Sequence, residues 1–293
     1  MGVRFYIVSV MFNAQDEVLE HIDMLKQQSY QNFHCVLVDD LSTDHSVSVA
    51  RQAINDDPRF SLIVNSEKKY KVRNVVDALV SVNPDDEDIV LIVDGDDRLA
   101  HESVLQRVLD IYIDKNALLT YGSHLNGMGV RARMCRAYSD KVIRQNAFRY
   151  AKWHASHLKT FKYKLFKQIR FDDLTITPQE LKRTVKKSLL KGRLKSWLNW
   201  RQIKLQELLE PSGKYIRRMD DKVLFFPMLE MAGHRAVFIE EILYLYRGQH
   251  AVDPDTMKRI KIIPGDHKNK WYGRLIREIL QNKPSYKRLD PGF

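Results

Sequence analysis

The sequence predicts an α/β protein with a mostly parallel sheet flanked by helices. Three observations carry that expectation. Short apolar runs alternate with amphipathic stretches through the first 121 residues, the runs are continuous rather than alternating with polar residues, and the 293-residue chain is 44% hydrophobic, enough to fill a sizeable core. Candidate strands lie at 4–11, 34–38, 61–64, 89–93 and 117–121. Helical stretches fall between them at about 17–28, 44–55, 72–82 and 102–112. Each carries apolar residues three and four apart, as in Val18, Ile22 and Leu25, or Val104, Leu105, Val108 and Leu109. Such a half-domain is the kind that binds nucleotides.

Beyond Tyr121 the alternation breaks. Residues 122–150 are rich in glycine and arginine and predict loop and irregular sheet. The stretch 157–169, HLKTFKYKLFKQI, reads as a short helix entered from Trp153, His154 and His157. Leu181, Val185, Leu189, Leu190, Leu194, Trp197 and Leu198 then recur at helical spacing, which predicts one basic amphipathic helix or two broken near Gly192. A helix is expected over Asp220–Ala232, followed by two short strands at 236–239 and 242–246. The last thirty residues are basic and read as peripheral, although Trp271, Tyr272, Leu275 and Ile279 are spaced to pack one more helix.

Composition narrows the function classes. Two cysteines, Cys35 and Cys135, provide neither a disulfide framework nor zinc-ligand spacing, so a reducing compartment is expected. The N-terminal apolar segment is too short to span a bilayer and lacks a small-residue cleavage pattern, and nowhere do 18 apolar residues run together; a cytoplasmic protein follows. The net charge of +11 points to anionic partners. Nine of the 23 residues 182–204 are Lys or Arg and none is Asp or Glu. An in-plane helix on anionic lipid needs that combination of apolar and basic faces, whereas sequence-specific nucleic-acid binding would call for aromatics on a sheet or a known motif. The other reading of this segment is a solvated face that packs its apolar stripe on the domain.

The most informative stretch is Ile89 to Leu99, IVLIVDGDDRL, which drives a buried strand into three carboxylates, Asp94, Asp96 and Asp97. Ligands of open α/β sheets lie outside the carboxyl ends of strands. Mutually repelling carboxylates there call for a hard divalent cation, Mg2+ or Mn2+, which shares oxygen ligands with a diphosphate. The competing reading is a turn, since Asp and Gly are common where chains leave strands. Neither GxGxxG nor GxxxxGK[ST] occurs, so the usual glycine phosphate loops are missing, which favours the cation.

Three stretches together resemble the family 2 glycosyltransferases, enzymes of GT-A fold, a Rossmann-like mostly parallel sheet flanked by helices. IVSVMFNAQDEVLEHIDMLKQQSYQNFHCVLVDDLSTDHS, from Ile7 to Ser46, is similar to that family's donor-binding opening. VDGDD is similar to its DxD motif, and GKYIRRMDDKVLFFPMLEMAG, from Gly213 to Gly233, to its acceptor-side helix. The resemblance covers most of residues 1–250 and implies transfer of a sugar from a nucleotide-diphosphate donor to an acceptor hydroxyl, with inversion. It implies a metal on Asp96 or Asp97, with Asp94 nearer the donor sugar, and His250, after YRGQ, as a further ligand or phosphate contact. It implies Asp221, six residues before Pro227, as the general base, with Asp220 the adjacent alternative. Asp40 would hydrogen-bond the donor base beside Asp39, Asn13 would shape the donor edge, and Arg73 or its neighbours Lys69 and Lys71 would approach the nucleotide. Asp39 and Asp44 have a capping role as their alternative. His157, Thr160 and Trp153 are placed for acceptor contacts or for packing, and Glu230 for local support.

The expected organisation is therefore a transferase domain over 1–250, with a donor half at 1–121 and an acceptor half at 122–250 that contains a basic helical insert near 178–210. A basic extension, 251–293, follows. The expected cofactors are Mn2+ or Mg2+, with a UDP-sugar ahead of a GDP-sugar as donor. The expected partners are a glycan or glycoconjugate acceptor and an anionic membrane surface. The rival is a non-catalytic module of the same fold that holds an anionic polymer or membrane.

Overall fold

The computed structural model describes residues 2–247 and 266–289. In chain order the first half runs Phe5–Met11 (β1), Val18–Lys26 (α1), Phe33–Asp39 (β2), Ser46–Ile54 (α2), Phe60–Val64 (β3), Tyr70–Val82 (α3), Ile89–Asp94 (β4), Arg98–Leu99 (β5), Val104–Asp114 (α4) and Leu119–Leu125 (β6). The second half runs Asp140–Arg144 (α5), Lys159–Lys162 (β7), Tyr163–Lys167 (α6), Phe171–Leu174 (α7), Pro178–Leu190 (α8), Leu194–Trp200 (α9), Asp220–Ala232 (α10), Ala236–Leu245 (β8) and Asp266–Asn282 (α11).

The eight strands form one sheet in the order β3-β2-β1-β4-β7-β6-β8-β5. Strands β1 to β4 are mutually parallel, β7 runs antiparallel between β4 and β6, and β8 is parallel to β6. Register brings Met11 beside Asp39, and Val10 beside Asp94, so the three strands end together, β2 and β4 in carboxylates. Burial on both faces explains the continuous apolar runs. Along β1, Phe5, Ile7 and Met11 enter the core under α1, α2 and α4, while Val8 enters the core shared with α3, α10 and α11. Helices α2 and α3 end on asparagines in the left-handed region, Asn55 at φ 47° and Asn83 at φ 41°.

Several sequence expectations are corrected. Residues 157–169 are not one helix: β7 comes first, and only Tyr163–Lys167 is helical. The strands expected at 236–239 and 242–246 are one ten-residue strand, whose pairing with β6 shifts register near Ser123. The irregular stretch after Tyr121 still carries β6 to Leu125 and the short α5. The basic segment is two helices separated around Gly192, at φ 70°, the first opened by a Thr177/Glu180 capping box with Pro178 at its start. The C-terminal helix is not peripheral, since Leu275, Ile276, Ile279 and Leu280 are fully buried in the second core. Among the described residues no helix is long and apolar enough to cross a membrane.

Candidate active site

At the carboxyl ends of β1, β2 and β4 lies an open cavity of about 520 Å³, lined from the first half of the chain by Phe12, Asp40, Lys68, Tyr70, Lys71, Asp94 and Asp96 and from the second by His157, Arg217, Asp220, Asp221 and Tyr246. Its acidic wall is set by Gly95. A Cβ there would sit 2.6 Å from Met11 Cβ and 3.2 Å from the Val10 carbonyl oxygen, to which the Gly95 N–H donates at 3.0 Å. Only glycine lets the turn close against β1. Buried His21 donates from Nδ1 to the Asp97 carbonyl at 2.8 Å, and its Nε2 is hydrogen-bonded with the Ser9 hydroxyl at 2.7 Å. Burial lowers the pKa of this ring, which keeps it neutral and fits that tautomer.

The three carboxylates each place an oxygen within 4.8 Å of the others, but they are not equivalent. Asp97 is buried and committed, its Oδ2 accepting the Tyr244 hydroxyl at 2.7 Å and its Oδ1 the Arg247 N–H at 2.8 Å. Burial, then Asp94 and Asp96, push its pKa up to about 7. Asp94 is ion-paired with Lys71. Burial works against ionisation of Asp94, yet Lys71 holds its pKa below the usual range. Asp96 faces the cavity, and its pKa is raised by burial and by Asp94. A cluster of hard oxygen donors, in which Asp96 makes no ion pair among the described residues, fits a divalent cation. Asp97, expected beside Asp96 as a metal ligand, has one oxygen in each of its two hydrogen bonds to Tyr244 and Arg247.

The first turn of α10 also lines the cavity; it is entered through Met219 at φ 63° and brings Asp220 and Asp221 to it. Asp221 is ion-paired with Lys159 of β7, whose side chain is 2% exposed. Burial opposes ionisation of Asp221, but Lys159 and Lys71 together hold it well below the usual carboxylate range. Asp220 lies 3.7 Å from Lys71 Nζ; burial pushes its pKa up, and Asp221 and Asp94 add to that. The adjacent carboxylates thus divide into one held ionised and one disposed to protonate. His157 stacks on Tyr244 and Tyr246, with ring centroids 4.6 and 5.6 Å away. Burial and Lys159 push its pKa down to about 3, so it is neutral.

Residues 6–175 match Glycosyl transferase family 2, more than half of the chain. The chain belongs to that family. An uncharacterized glycosyltransferase of Haemophilus influenzae is 26% identical over 120 residues, which is 40% of this chain and 46% of the relative, so the chain spans under half of that protein's length. S. aureus TarS 1–349, solved with UDP-GlcNAc, superposes with TM-score 0.56 at 14% identity, over 97% of this chain and 68% of that one. Glucosyl-3-phosphoglycerate synthase from Mycobacterium tuberculosis, solved with Mn2+, UDP and glucosyl-3-phosphoglycerate, has TM-score 0.56 at 11% identity, over 95% of this chain and 79% of that one. These structural likenesses establish the GT-A fold.

In this family 2 member, the cavity gathers Asp40, Lys71, Asp94, Asp96, His157, Asp220 and Asp221 of the residues expected from sequence. Others lie elsewhere. Asp39 is buried behind the strand end, where its Oδ2 accepts the Ser42 N–H at 3.1 Å. Asn13 ties two loops together, donating from its N–H to Ser42 Oγ and accepting the Thr43 N–H, each at 2.9 Å. Arg73 turns away toward Glu67 and Glu210, at 2.9 and 3.2 Å. Lys69 pairs with Asp77. Asp44 takes its capping alternative, accepting the Ser46 N–H at 3.0 Å at the start of α2. Thr160 is buried among the hydroxyls of Tyr112 and Thr120, and Trp153 packs edge-on against Phe226. His250 lies outside the described residues. Asp40 accepts the N–H groups of Lys69 and Tyr70, at 2.8 and 3.2 Å, and so fixes the start of α3 while lining the cavity.

Sequence reasoning missed Phe12, Lys68, Arg217 and Lys159. Phe12 is half exposed, with Lys68 Nζ 3.0 Å from its ring centroid. The available signal was an aromatic immediately after a strand. Lys159 left no such signal, because its strand was read as a helix.

Proposed function

We propose that this chain transfers a glycosyl group from a nucleoside diphosphate sugar to an acceptor hydroxyl with inversion, Asp221 acting as general base. The observation that carries the reading is a single cavity lined by Asp94 and Asp96 together with Asp221, and by Lys68, Lys71 and Arg217. Donor and acceptor halves, 1–121 and 122–250, both contribute to it. Asp96, with Asp94, would hold Mn2+ or Mg2+. When bound, that cation offsets charge on the departing diphosphate. Lys68 and Arg217 bring further positive charge to the cavity, and the exposed ring of Phe12 offers a surface for the base.

Asp221 takes the acceptor proton at a carboxylate oxygen as the new bond forms. Its pairing with Lys159 keeps that oxygen ionised at neutral pH, and neutral His157 beside it is free to hydrogen-bond an acceptor hydroxyl without competing for the proton. A UDP-sugar is favoured as donor because both solved relatives described above were captured with UDP or a UDP-sugar. Hexosyl transfer in cytoplasmic glycan, polysaccharide or glycoconjugate synthesis is the corresponding role.

The test is a set of nucleotide-sugar transfer and hydrolysis assays with Mn2+, run beside nucleotide binding by thermal shift. Asp221→Asn is expected to retain UDP binding and lose transfer by at least about a hundredfold. Loss of binding to the same extent would make Asp221 a structural residue. No turnover and no nucleotide binding by the intact protein would leave the non-catalytic module as the reading.

A further inference from the structure

The apolar stripe of the basic segment divides between the core and solvent. In α8, Thr184 and Ser188 are buried, and Leu181 and Val185 pack on the core; in α9, Trp200 is buried. Leu189, Leu190, Leu194 and Leu198, at the end of one helix and along the next, are 41–77% exposed. Four large aliphatic side chains within ten residues are a patch rather than scattered exposure.

Cations surround them. Lys182, Arg183 and Lys186 occupy the exposed side of α8 one and two turns before Leu189 and Leu190, and Lys195 follows Leu194. Other cations of the segment are engaged: Lys187 donates to Asn282 at 2.6 Å, while Lys191 and Arg193 reach Glu278 of α11 at 3.4 and 3.1 Å. The helices are thereby held on the domain by one set of cations while another set faces outward with the leucines. A second copy of this chain docking symmetrically would bring like charges together. Anionic headgroups would meet the outward cations, and the acyl boundary would take the leucines.

We propose that the exposed edge of α8 and α9 docks the protein onto an anionic lipid bilayer. This goes beyond the transferase reading and does not depend on it. The test is sedimentation of the full chain with vesicles of phosphatidylcholine alone and of phosphatidylcholine mixed with phosphatidylglycerol. The protein is expected to sediment with the anionic vesicles and to be released as salt rises. Leu190→Asp with Leu194→Asp should weaken binding at least about tenfold, and Lys182→Gln with Lys186→Gln several-fold, both at unchanged melting temperature. Should the aspartates lower the melting temperature, the lysine pair alone decides. Failure to sediment with anionic vesicles, binding unaffected by these substitutions, or a concentration-dependent dimer that the leucine substitutions abolish would each overturn the proposal.

Discussion

Lys159 and Asp221 meet as an ion pair between a charged side chain buried in a strand, which sequence patterns miss, and a carboxylate opening a helix, which they identify. The aliphatic stem of Lys159 is buried and its ammonium lies 5.3 Å from the Phe225 ring centroid, so the cation is fixed by the core. Its consequence is electrostatic: the carboxylate is kept as a base before any acceptor arrives.

Replacing Lys159 by Met should therefore move the acid limb of kcat/KM to higher pH. The Asp221 pKa is depressed in the folded protein, so the proton-accepting form is present above it and lost as pH falls through it. Losing the cation should raise that limb by about one pH unit or more, and Lys159→Arg should restore most of the shift. A limb that stays in place while activity falls would assign Lys159 to packing. The same linkage makes the pair's stabilising contribution fully present above the unfolded carboxylate pKa and lost on acidification.

Asp96 and Asp97 should separate by measurement. Asp96→Asn is expected to reduce Mn2+-dependent UDP affinity at least about tenfold with little change in melting temperature, because Asp96 lines the cavity and makes no ion pair among the described residues. Asp97→Asn weakens the hold on Tyr244 and Arg247 and should cost about 1–3 kcal/mol of stability. Nucleotide titration with and without Mn2+, beside denaturant melts, checks both; the reverse pattern would exchange their roles.

Gly95→Ala should lower both stability and nucleotide affinity. An added Cβ would overlap Met11, so either β1 or the acidic turn must move. Wild-type Mn2+ and UDP binding in this variant would contradict the close approach.

Glu230 tests the hidden face of α10. It is fully buried and pairs with buried Arg149 at 2.7 and 3.0 Å, while also accepting the Tyr286 N–H at 3.0 Å. Glu230→Ala leaves the guanidinium with Asp173, at 3.6 Å, as its one carboxylate partner among the described residues, and should cost about 3–5 kcal/mol in a urea melt. The double variant Arg149→Met with Glu230→Leu should cost less than Glu230→Ala alone. Equal or additive losses would show that the pair is not coupled.

The sequence by itself determined the parallel strands β1 to β4, helices α1 to α4 and α10, and the carboxylates at Asp94, Asp96 and Asp221. Strands buried on both faces leave continuous apolar runs, helices leave a 3.6-residue period, and a strand end followed by acids is a local pattern. Tertiary structure alone decided what depends on partners distant in the chain. Strand β7 exists because β4 and β6 flank it on both sides with antiparallel hydrogen bonds, and Lys159 consequently reaches Asp221. Asp97 is distinguished from Asp96 by Tyr244 and Arg247, about 150 residues away, and Arg73 from Lys71 by which side of one helix turn faces the cavity. Burial and long-range hydrogen bonding assign those roles, and neither leaves a period in the chain.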